Sequence, residues 1–133
     1  MAAEDVALPA VITFTGTISV TLTITLKTTG LTNVTCSADT IVVDNVTSPV
    51  TYTESNTVAA TGTGGTRTCK LTIPYSWALA TQSSDNNMST SYTVFGSTGT
   101  SGLPQRTAGR SPLDTRKVPS NGTTTTLTAA VTI

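Results

Sequence analysis

The chain has 133 residues, 33 of them threonine, and its seven Lys and Arg balance seven Asp and Glu with no histidine. That length fits one domain with one core. Zero net charge argues against a general nucleic-acid binder, which needs surplus Lys and Arg to displace counterions from phosphate, and disfavours a charged membrane surface for the same reason. Charged residues make up 11% of the chain, against about 25% in an average soluble domain, so the surface is neutral, hydroxyl-rich and tolerant of packing against other copies.

Threonine, valine and isoleucine favour the extended backbone, and no stretch keeps a 3.6-residue apolar period, so an all-β chain is predicted. The first residues, Met1-Ala2-Ala3-Glu4-Asp5, hold no basic region followed by an apolar stretch, and no signal peptide is visible. No apolar run approaches the roughly 18 residues of a membrane span.

The clearest element comes next. Ile12, Phe14, Gly16, Ile18, Val20, Leu22, Ile24 and Leu26 alternate with Thr13, Thr15, Thr17, Ser19, Thr21, Thr23, Thr25 and Lys27, giving one buried and one hydroxyl-covered face. About 16 residues at ~3.3 Å each span roughly 50 Å, far beyond an ordinary strand. Gly16 is the expected break, dividing 11–15 from 17–26, with the two parts serving different sheets or different subunits.

A turn at 28–30 leads to short predicted strands at 33–37 and 40–43, separated by Ala38-Asp39 and closed by Asp44-Asn45. Val50, Tyr52 and Val58 continue the β pattern behind Pro49, and 61–66 (TGTGGT) is a turn. A second clean alternation puts Cys69, Leu71, Ile73, Tyr75, Trp77 and Leu79 on one face, with Pro74 marking an edge or an end near Tyr75. Residues 82–89 are a polar loop, 91–95 a strand and 96–122 a long loop rich in Gly and Pro. The last segment, 123–133, turns Leu127, Ala129, Val131 and Ile133 inward. Seven or eight strands at this spacing suit a sandwich.

Little supports catalysis. There is no histidine, and Glu4, Asp5, Asp39, Asp44, Glu54, Asp85 and Asp114 form no close motif. The run Gly62-Thr63-Gly64-Gly65-Thr66 lacks the ending of a phosphate loop. Asp39 and Asp44 make too weak a set for calcium and are read as turn caps. Cys36 and Cys69, without a CxxC pattern or histidine, point to a disulfide and not to zinc, and so to an oxidising compartment. No cofactor, metal or catalytic residue is expected.

Other features carry binding readings. Arg106, Arg110, Arg116 and Lys117 gather four of the seven basic residues in the 96–122 loop, opposed only by Asp114. This is a candidate docking loop for an acidic partner or glycan, set against a plain solvated loop. Tyr75 and Trp77 form either a sugar platform or, as their shared face with Cys69, Leu71 and Ile73 favours, part of the core. Sequons at Asn33, Asn45, Asn87 and Asn121 permit glycosylation.

The layout of ITFTGTISVTLTITL, the Cys36 and Cys69 pair, a β-rich body and the closing TLTAAVTI resembles bacterial pilins of the chaperone-usher kind. The resemblance implies an immunoglobulin-like sandwich of about seven or eight strands, open to completion by strand exchange. It divides the chain into 1–16, an N-terminal extension and candidate donor strand, and 17–133, the sandwich. It makes Val11, Ile12, Phe14, Ile18 and Val20 donor-strand candidates, with Leu127, Ala129, Val131 and Ile133 beside the acceptor groove. The expected function is a non-catalytic, self-assembling subunit of an extracellular filament or surface appendage whose partners are its own copies. A virion structural or decoration protein of a phage is the alternative, and a carbohydrate-binding or adhesive module using Tyr75, Trp77 or Tyr92 a third.

Overall fold

A computed structural model describes residues 11–44, 50–80, 87–98 and 105–133. Among them the chain forms seven strands and no helix: β1 (Val11–Thr25), β2 (Asn33–Asp44), β3 (Val50–Ala59), β4 (Thr66–Ala80), β5 (Asn87–Ser97), β6 (Gln105–Lys117) and β7 (Thr123–Thr132). They make two sheets packed as a sandwich, ordered β4-β1-β7 and β3-β2-β5-β6.

The alternation of β1 fixes its role. Ile18, Val20, Leu22 and Ile24 are 0% exposed, while the intervening hydroxyl residues form the outer face. β1 pairs antiparallel with β4 along its whole length, from Val11 opposite Ala80 to Thr25 opposite Thr66. On its other side it pairs parallel with β7, beginning at Gly16 opposite Thr123. From the facing sheet come Val34, Cys36, Ala38, Val42, Met88 and Val94, which close the same core.

Cys36 of β2 and Cys69 of β4 form a disulfide that crosses between the two sheets, with Cα atoms 6.3 Å apart. Arg67 ties the same end together. Its Nε donates to the Gly64 carbonyl at 3.2 Å and its Nη1 to the Thr32 carbonyl at 3.4 Å.

Three local expectations are corrected. β1 runs unbroken through Gly16, so the glycine is a close approach and not a division. A Cβ there would overlap the Tyr75 ring and hydroxyl and sit 2.9 Å from the Thr123 carbonyl oxygen. β2 is likewise one strand. Ala38 (2% exposed) and Thr40 (0%) face inward, which breaks the apolar pattern without breaking the backbone, so Asp39 is a mid-strand residue and not a turn cap. The hydroxyl of Thr40 is satisfied by that of Thr90 at 3.0 Å. Of the two readings of Pro74 the edge holds: β4 continues through it to Ala80 as an edge strand, where a missing N–H removes no ladder bond.

The largest correction concerns 96–122. Residues 105–117 of this stretch are β6, paired antiparallel with β5 through register shifts between Thr90 and Ser91 and between Tyr92 and Val94. Its sequence, QRTAGRSPLDTRK, has no period-2 signal because β6 is a sheet edge interrupted by Gly109 and Pro112. Arg106, Arg110, Arg116 and Lys117 therefore belong to a strand and not to a loop.

Two outcomes follow for stability. Gly16→Ala should lower it by about 1–3 kcal/mol through overpacking, measured by urea denaturation, and Gly16→Ala combined with Tyr75→Phe should be less than additive because the two side chains meet. Replacing both Cys36 and Cys69 by Ala should cost about 3–4 kcal/mol by the chain-entropy model. An unchanged denaturation midpoint would show that the bridge does not constrain the chain.

Candidate assembly site

The two sets of assembly candidates lie side by side. Ile18 is opposite Thr125, Val20 opposite Leu127, Leu22 opposite Ala129 and Ile24 opposite Val131 along the parallel β1–β7 ladder. Ile18 and Val20 are fully buried in their own chain and Phe14 is half-buried against the core; the side chains of Val11 and Ile12 lie outside the described residues. Leu127, Val131 and Ile133 are 7–8% exposed and Ala129 is half-buried. The position beside β7 is thus taken in cis by β1.

β7 stops short of the end of β1. From Thr123 onward the pairing with β1 is regular, but at 11–15 β1 continues with β4 alone. The turn between β6 and β7 closes the first step of this gap. The Thr15 N–H donates to Asn121 Oδ1 at 2.9 Å, and the Gly122 N–H donates to the Thr15 carbonyl at 2.9 Å. Gly122 holds φ at +82°, a conformation suited to glycine. Sequence reasoning treated Asn121 only as a sequon and missed this clasp. The signal available was the Asn-Gly pair itself, a strong turn marker.

Tyr75 and Trp77 stack with ring centroids 4.3 Å apart and are 4% and 1% exposed. The core reading holds, and the sugar-platform reading fails for these two residues because their faces do not reach solvent. Tyr92 is half-buried, and Phe95, on β5, is the exposed large hydrophobic residue among those described. The Tyr75 hydroxyl, the Trp77 indole nitrogen and the Thr125 hydroxyl are buried without a hydrogen-bond partner among the described residues. All three lie on the inner face of the β4-β1-β7 sheet, beside or beyond the start of β7.

Of the basic candidates, Arg116 is engaged by Asp114, with Nε 2.6 Å from one carboxylate oxygen and Nη2 3.2 Å from the other. That hydrogen bond holds the guanidinium pKa above its ordinary value. The pair is exposed, so its net contribution is small. The side chains of Arg106 and Arg110 lie outside the described residues; Lys117 is exposed at the end of β6. Asn33, Asn87 and Asn121 are exposed, and Asn45 lies outside the described residues. No protein-family model, curated protein or solved structure matches the chain.

Burial pushes the Tyr75 phenol pKa above its ordinary value near 10. The folded chain keeps a proton that the unfolded chain releases, so this group's contribution is full below about pH 10 and lost as pH rises beyond it. Tyr75→Phe removes both the orphaned hydroxyl and the titration. At neutral pH the variant should equal the parent or exceed it by about 1 kcal/mol, and between pH 9 and pH 11, on the order of one unit either side of the unperturbed value, its urea midpoint should fall less steeply than the parent's.

Proposed function

We propose that the chain is a non-catalytic structural subunit that self-assembles into an extracellular filament or surface appendage, with copies joined by exchange of β1. The carrying observation is the place of β1. It is the first strand among the described residues, occupies the centre of its sheet, and is the ladder partner of both β4 and β7. A parallel pair needs a crossover, and here the crossover is everything from β2 to β6. A neighbour's β1 can therefore take the same seat with the same contacts, as in domain swapping. Backbone ladder bonds and alternate side-chain pockets join copies by strand addition without requiring charge.

The disulfide supports the same reading. Among the described residues β1 is the one strand paired along β4, whose further ladder contact is the single Thr61–Thr68 pairing at its start, so on loss of β1 the bond from Cys69 to Cys36 would hold β4 to the other sheet. The bridge keeps the remaining strands together while the central seat is open. It also fits an oxidising, extracellular setting. A neutral outer face, with Thr17, Ser19, Thr21 and Thr23 of β1 flanked by Thr124, Thr126 and Thr128 of β7, offers little charge repulsion between copies.

Thr17 and Thr124 are neighbours in the β1–β7 register on the outer face. Chains carrying only Thr17→Cys, mixed with chains carrying only Thr124→Cys, unfolded and refolded together and then oxidised, should give a covalent pair containing one chain of each kind, with filaments visible by electron microscopy. If the doubly substituted chain forms only internal bridges and the mixture forms none between chains, β1 stays in its own subunit and the proposal is wrong.

A further inference from the structure

Among the described residues four strands border the sheets, and they differ sharply in how they are guarded. Open edges present unpaired N–H and C=O groups, and natural proteins protect them with charged residues, proline or bulges. β3 carries Glu54, and its Asn56 Nδ2 donates to the Thr72 carbonyl of β4 at 2.9 Å, covering part of that neighbouring edge. β4 carries Arg67, Lys70 and Pro74. β6 carries Arg106, Arg110, Pro112, Asp114, Arg116 and Lys117, with register shifts in its pairing to β5. β7 reads TTTTLTAAVT over ten residues, without a charge, a proline, a glycine or a register irregularity.

β7 also borders the narrower of the two sheets. Its sheet has three strands against four in the facing sheet. The inward residues Leu127 and Val131 are 8% and 7% exposed, whereas their β1 neighbours Val20 and Ile24 are 0%. Ala129 of β7, Leu113 of β6 and Val118 of the connecting turn are only half-buried against the core. The flank between β6 and β7 is therefore half-covered, with an uncharged edge on its β7 side and the charged β6 on the other.

We infer that the outer edge of β7 pairs antiparallel with β7 of a second copy, making a continuous six-stranded sheet β4-β1-β7-β7-β1-β4 across a two-fold axis. A second copy is the fitting occupant because the edge is self-complementary. Two identical uncharged strands meet without repulsion, each keeps its apolar residues on the inner face and its threonines on the outer face, and each covers the other's half-exposed flank. The arrangement is isologous and closes on itself. It is independent of where β1 sits, since β7 keeps the same outer edge whether β1 comes from its own chain or from a neighbour.

Thr126 and Ala130 are exposed on the outer face, so charges there leave the core intact. Chains carrying Thr126→Lys with Ala130→Lys should keep the far-UV circular dichroism of the parent and lose its pairing in sedimentation velocity, because like charges then face each other across the axis. Chains carrying Thr126→Glu with Ala130→Glu should lose it too, and mixing the Lys and Glu chains should restore a pair of mixed composition. A parent chain that is monomeric at every concentration, because another segment covers the edge, would overturn the inference. So would a Lys variant that associates like the parent, or a mixture that fails to recover pairing.

Discussion

One sheet of this molecule hangs on a single strand. β4 and β7 do not touch each other in the ladder; each is held by β1, which lies between them. The four fully buried apolar side chains of β1 contribute on the order of 1.5–3 kcal/mol each, or about 6–12 kcal/mol together. That sum is comparable to the whole stability of a typical domain, roughly 5–15 kcal/mol. The sandwich is therefore complete only while some β1, its own or another copy's, occupies the central seat.

The rest of the architecture accommodates this dependence. The disulfide joins β4, at Cys69 opposite Leu22 of β1, to the opposite sheet. Tyr75 leans across the missing side chain of Gly16 toward the start of β7, so the space over a residue of β1 is filled by a residue of β4. The clasp of Asn121 and Gly122 on Thr15 sets where β7 begins. Each device positions β1 against its neighbours, and none bonds it covalently.

Much of this was legible from residue order alone, for a physical reason. Where a strand has one buried and one solvated face, as in β1, β4 and β7, strict alternation of Thr with Ile, Val or Leu records the orientation of every side chain. Where the inward residues are small or polar, as Ala38 and Thr40 are in β2, the record fades although the backbone does not change. β6 was unreadable because an edge strand carries charges, a glycine and a proline for protection and resembles a loop in composition. Gly16 was given the wrong one of its possible meanings, since a glycine alone does not say whether the chain bends or another side chain passes over it; Tyr75 decides that only in three dimensions. The core role of Trp77 was visible from its parity with Cys69 and Leu71, whereas the pairing of β1 with β7 depends on topology that no local pattern encodes.

That last pairing sets the order of events during folding. β2 with β3, and β5 with β6, are neighbours in sequence and in space and can form as local hairpins. Gly16 and Thr123 are 107 positions apart (123 − 16) yet adjacent in the ladder. Contacts of such separation carry the largest loop-closure entropy and form late. The β4-β1-β7 sheet therefore waits for the last strand to be synthesised, and during that interval the most apolar strand of the chain has no fixed place. Were copies to exchange β1 as proposed, the final step of folding and the first step of association would compete for the same strand.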